Sequence, residues 1–252
     1  MPDALPSLLR RVLTAASLAV AVVLALPAQA AFATDYLPDL GMAHPGDLRV
    51  DKSGGRKLLR YTAIVVNVGV GPFEIRGDRP DTSSPMSVTQ RIYNDSAAGY
   101  SDVSVPGAGM FYSGDGHNHW HVRDLETGEL LRLDNGSKVG ALAKHGFCFY
   151  DNYRYRLTLA GAPLSPVYTS CGGANSLHIV PGLSVGWGDS YPWSVAYQYI
   201  DITGLANGRY RLQISASTAL GLHESNYSNN VSWVDITLRA NNAKIISKGP
   251  AA

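Results

Sequence analysis

Cysteine is nearly absent: the 252-residue chain has two, Cys148 and Cys171. Its loops can therefore share at most one disulfide. An isolated pair in a chain bound for an oxidising compartment is expected to close a single loop. Charge bias is absent too, with 21 Lys and Arg against 20 Asp and Glu and a net charge of +1. That excludes the basic footprint of a nucleic-acid or anionic-membrane partner. Past residue 30 no apolar run is long enough to span a bilayer. A long amphipathic helix and an internal repeat are missing as well.

The N-terminus carries the one strongly apolar run. Arg10 and Arg11 precede apolar residues 12–26, and Ala28-Gln29-Ala30 follows as a small-x-small cleavage signal. Residues 1–30 thus read as a secretory signal peptide, and the mature protein is expected outside the cell, with no membrane attachment. The remainder is long enough for one domain with a core. It reads as all-β, a β-sandwich core with long functional loops and little helix. Strands are expected near residues 58–69, 89–93, 117–125, 130–133, 194–203, 210–217 and 232–238. Residues 139–144 suit a short helical turn. The glycine-rich links 94–116 and 160–190 suit functional loops, and residues 241–252 a frayed tail.

Residues 116–121 read Gly-His-Asn-His-Trp-His. On a strand, His117, His119 and His121 would point to one face, about 6–7 Å apart along the backbone. Three convergent imidazoles with no thiolate beside them make a site for copper or zinc.

Other motifs follow in order. They are Lys144-His145-Gly146-Phe147-Cys148, then Gly182-Leu183-Ser184 leading to Asp189-Ser190-Tyr191, then Tyr199-Ile200-Asp201-Ile202-Thr203, then Glu224-Ser225-Asn226-Tyr227-Ser228-Asn229-Asn230. From about residue 117 to 238 this set resembles the catalytic domain of the lysyl oxidase family, in a bacterial secreted form. The family consists of copper amine oxidases that build their own quinone, and the resemblance implies such a domain over residues 31–240. It implies copper on His117, His119 and His121, and a lysine tyrosylquinone made from Lys144 and Tyr191. Asp189 stands in the same motif and is read either as a base or quinone-orienting group or as a loop cap. The implied substrates are a primary amine, free or on a protein lysine, and dioxygen. The implied products are an aldehyde, ammonia and hydrogen peroxide.

The resemblance also implies a calcium held by Asp39, the carbonyl of Leu40, Glu224, Asn226, Asn229 and Asn230, an oxygen-rich set of the kind calcium prefers. A plain polar turn explains the same residues. His44, His145, His178 and His223 carry no implied role, and His145, although next to Lys144, is expected to be a surface or packing histidine. Two other functions fit the histidines alone: a non-catalytic secreted copper-binding β-sandwich, and a zinc hydrolase with water in the fourth position. Neither needs Lys144 or Tyr191.

Overall fold

A computed structural model describes residues 33–113, 116–216 and 221–252. The expected signal peptide lies outside these residues. The described chain is all-β, built from antiparallel sheets and short connections.

Two sheets enclose the main core. One runs in the order Lys138–Ala141, Glu126–Arg132, Gly208–Ala216, Val231–Arg239, Asn242–Lys248. Its central strands, Gly208–Ala216 and Val231–Arg239, bury every second residue, because successive side chains leave a strand on opposite faces. Leu212, Ile214, Val234, Ile236 and Leu238 therefore point inward together. The facing sheet is organised on the long strand Arg56–Asn67, which pairs with Leu40–Met42, Gly46–Ser53, Trp187–Tyr191 and Tyr199–Asp201. It contributes Leu40, Met42, Leu59, Tyr61, Ala63 and Val65 to the same core. A third sheet is centred on Phe73–Asp78 and Ser87–Asn94. The fourth and smallest joins Met110–Tyr112, Trp120–Arg123 and Gly146–Phe147.

Several expectations are corrected. The tail is not frayed: Asn242–Lys248 pairs along Val231–Arg239, which offers it an open edge and buries Ala243. The expected helical turn is the strand Lys138–Ala141, a hairpin return from Glu126–Arg132 through a turn in which Gly136 takes φ 71°. The strand read over residues 194–203 shrinks to Tyr199–Asp201. The two long links contain short strands of their own, among them Tyr100–Ser104 and His178–Ile179.

Cys148 and Cys171 form the expected disulfide across a sequence separation of 23. A loop of that size contributes about 3 kcal/mol, chiefly by restricting the unfolded chain.

Candidate functional site

The three histidines converge, but not on a straight strand. Only His121 lies on a strand, Trp120–Arg123. His117 and His119 sit in the turn before it, where Gly116 has φ 97° and Asn118 has φ 50°. Asparagine tolerates the left-handed region better than most residues, so the backbone can coil here. Coiling brings the rings closer than an extended strand would. One nitrogen from each imidazole lies within 4.8 Å of the others, and His119 Nε2 and His121 Nε2 are 2.9 Å apart.

Lys144 reaches this trio through the smallest sheet. Gly146 pairs with Arg123 and Phe147 with Val122, so the lysine segment runs beside the histidine strand. The approach is tight. A Cβ on Gly146 would lie 2.6 Å from both His121 Nδ1 and Phe111 Cζ. Lys144 itself is buried, with Nζ 5.3 Å from the centre of the Phe147 ring and 5.5 Å from that of Tyr191.

Tyr191 ends the strand Trp187–Tyr191, pinned opposite Ala63 by pairing with Arg56–Asn67. Its ring meets Phe147 edge-on, centroids 5.1 Å apart. Its hydroxyl donates to the Cys148 carbonyl at 3.1 Å. Asp189 lies two residues earlier on the strand and so shares its face. One Asp189 oxygen accepts from the Asn152 side-chain amide. Burial pushes the Asp189 carboxyl up to about 7, although the Tyr191 phenol, the Asn152 amide, the Tyr150 backbone and the Lys144 charge all draw it down. Burial and the Asp189 charge hold the Tyr191 phenol well above its ordinary value, so it is neutral at physiological pH.

His117, His119, His121, Lys144, Asp189 and Tyr191 all line one cavity of about 480 Å³. Tyr150, Pro192 and Val195 provide much of the remaining wall. Three imidazoles presenting nitrogen to one point suit a borderline cation such as Cu(II) or Zn(II). His145 stays at the surface, paired with Asp124 at 2.9 Å. Sequence reasoning missed Asn152, whose position carries no sequence signal. It also missed Glu126, a buried acid at an inward position of its strand.

The lysyl oxidase family model matches residues 82–247. The chain belongs to the lysyl oxidase family. It is 30% identical to human lysyl oxidase homolog 4 over 178 residues, 71% of this chain and 18% of that protein. It is 27% identical to Xenopus laevis lysyl oxidase homolog 2 over 146 residues, 58% of this chain and 17% of the relative. It is 30% identical to chicken protein-lysine 6-oxidase over 131 residues, 50% of this chain and 28% of the relative. The match thus spans a minor part of each relative. Within the lysyl oxidase fold described here, no helix among the described residues is long and apolar enough to cross a membrane.

The remaining predicted residues lie elsewhere in the fold. Glu224 is buried and accepts from the Leu40 backbone N–H at 2.7 Å and the Asn230 amide at 3.1 Å. The Asn229 amide donates to Asp39 at 2.7 Å. These residues form one oxygen-rich cluster, with the side-chain oxygens of Asn229 and Asn230 buried and without hydrogen-bond partners. Burial, reinforced by the Asp39 charge, leaves the Glu224 carboxyl at about 7 despite its two hydrogen bonds. Asn226 sits in the turn that follows Glu224. Its oxygen accepts from the Ser228 N–H and hydroxyl.

Proposed function

We propose that this protein is a secreted copper-dependent amine oxidase that converts primary amines, including protein lysines, to aldehydes with release of ammonia and hydrogen peroxide. The observation that carries this reading is the Lys144 nitrogen 5.5 Å from the centre of the Tyr191 ring, in the cavity that the three histidines line. A metal-binding sandwich or a zinc hydrolase has no use for that pair.

In this reading His117, His119 and His121 hold the copper, and Lys144 and Tyr191 become the lysine tyrosylquinone. Bound together, these groups supply the oxygen chemistry and the electron-poor carbonyl that amine oxidation requires. The protein's own residues do the rest. Phe147 and the Cys148 carbonyl fix the plane and the oxygen of Tyr191. Tyr150, Pro192 and Val195 receive the alkyl stem of the amine. Asp189, held by Asn152 beside Tyr191, accepts the substrate's α-proton. It must be ionised to do so, and its carboxyl lies at about 7. Amine oxidation is therefore expected to rise as pH passes through about 7, read in a peroxide-coupled assay. Protein produced with copper and air is expected to absorb visible light and to react with phenylhydrazine. Colourless, hydrazine-inert protein that still holds copper would favour the non-catalytic alternative.

We further propose calcium at Asp39, Glu224, Asn229 and Asn230. Two neighbouring acids, Asp39 and Glu224, together with buried amide oxygens of Asn229 and Asn230 that lack hydrogen-bond partners among the described residues, support a hard cation there. At a hundred times its dissociation constant, calcium is expected to stabilise the protein by about 2.7 kcal/mol. Thermal melts should show this in the wild type and lose it in Glu224→Gln.

A further inference from the structure

Each half of the Cys148–Cys171 disulfide anchors a different part of the site. The Cys148 carbonyl accepts the Tyr191 hydroxyl at 3.1 Å. The Cys171 carbonyl accepts the backbone N–H of Trp120 at 3.1 Å. Trp120 stands between His119 and His121. One covalent bridge therefore joins the anchor of Tyr191 to the anchor of the histidine segment. These links close a ring. From Trp120 the strand runs to Val122, which pairs with Phe147. The chain continues to Cys148, crosses the disulfide to Cys171 and returns to Trp120 through the hydrogen bond. With the sulfur bridge gone, the only covalent path from Cys148 to Cys171 is the long stretch of residues 149–170.

The far side of the ring is braced as well. The Trp120 indole N–H donates to the Gly173 carbonyl at 3.0 Å, two residues past Cys171. The Arg79 guanidinium lies 4.7 Å from the centre of the Trp120 ring and donates to the carbonyls of Ala174 and Ser176. The stretch that begins at Cys171 is thus fastened to Trp120 at its backbone, its indole N–H and its ring face. Both cysteines and Trp120 are buried, where such bonds are stronger than in water. Residues that orient metal ligands matter to the metal, and losing one costs about 10–100-fold in affinity. A ligand in a turn depends most on such support, and His119 is in one.

We propose that the Cys148–Cys171 disulfide and Trp120 form one positioning unit, which holds His119 and His121 in register with Tyr191. The unit acts through the histidines and the phenol and takes no part in the chemistry itself. What concerns Tyr191 rests on the oxidase reading. What concerns the histidines holds for any metal they bind.

The test uses the full-length protein and the double variant Cys148→Ala with Cys171→Ala, which opens the ring but keeps both carbonyls. Losing a disulfide also lowers stability, so a second destabilised protein is the control. Ile236→Ala serves, because Ile236 is fully buried in the strand Val231–Arg239 and takes no part in the cavity wall. Each protein is prepared without metal and titrated with Cu(II) well below its melting temperature. The double variant is expected to bind copper at least about 10-fold more weakly, with a broadened electron paramagnetic resonance spectrum, because its ligands no longer share one geometry. Ile236→Ala is expected to match the wild type in both. After loading in air, visible absorbance is expected to develop at least about 10-fold more slowly in the double variant. A double variant that binds copper and gains colour as Ile236→Ala does overturns the proposal, because it marks a clamp for stability alone. If the double variant does not fold, Trp120→Phe decides. That change keeps the disulfide and an aromatic ring and loses the indole bond to Gly173. Weaker copper binding with a broadened spectrum supports the unit, and wild-type copper binding overturns it. Wild-type protein that holds copper but never gains colour would refute the oxidase reading, while the copper titrations still judge the unit.

Discussion

Tyr191→Phe is expected to lower hydrogen peroxide formation by at least about a thousandfold, roughly 4 kcal/mol of barrier, without loss of copper. The change deletes one oxygen. That oxygen is the seed of the proposed quinone, and a phenylalanine ring cannot become the quinone to whose ring carbon the Lys144 amine would add. The remaining functions of the side chain survive. The ring still packs edge-on against Phe147 and pairs through its backbone with Ala63. The lost hydrogen bond to the Cys148 carbonyl costs about 1 kcal/mol of stability, too little to unfold a domain with this core. No imidazole is touched. Metal analysis should find the wild-type copper content, while the peroxide-coupled assay falls to background. Retained turnover would exclude the proposed cofactor.

His119→Ala has the complementary effect. It spares Tyr191 and Lys144 but removes one of three nitrogens that lie within 4.8 Å of one another. Residues that merely orient a metal ligand cost about 10–100-fold in affinity when lost, so deleting a ligand is expected to cost more than about 100-fold. His119 is only partly buried, unlike His121, so the truncation leaves little cavity and the fold should persist. Without copper the Tyr191 ring stays a phenol. Purified protein is expected to be colourless, to melt near the wild-type temperature, and to yield unmodified Lys144 and Tyr191 peptides by mass spectrometry. Cross-linked peptide in this variant would mean that the trio is not the metal site. The two variants together separate metal binding from cofactor formation.

Much of this arrangement was legible in the sequence, though not always for the reason first supposed. The strands Gly208–Ala216 and Val231–Arg239 alternate because each lies between a core and solvent, and alternation is what such a surface demands. The histidine spacing pointed to convergence, yet Asn118 and Gly116 achieve it with a turn instead of a strand. Local propensity says little about residues that a metal-sized target draws together. The meeting of Lys144 with Tyr191 joins the loop before Gly146–Phe147 to a strand of another sheet. No local pattern encodes it, and only the resemblance to a family anticipated it. The tail Asn242–Lys248 gains its order from a neighbour's open edge, which no window of its own sequence contains. Glu126 was overlooked because an acid at the start of a strand looks like a solvated end. Its burial depends on the facing sheet.

Gly146 shows how narrow the tolerances of such a centre become. Nothing in its own backbone angles demands glycine, since its φ is not among the positive ones. The demand comes from across the gap, where the His121 ring and Phe111 occupy the volume any side chain would need. Even one methyl group would push that ring off its bearing. A library that randomised this position should therefore return a single letter among its functional clones, although the residue itself bears no chemistry at all.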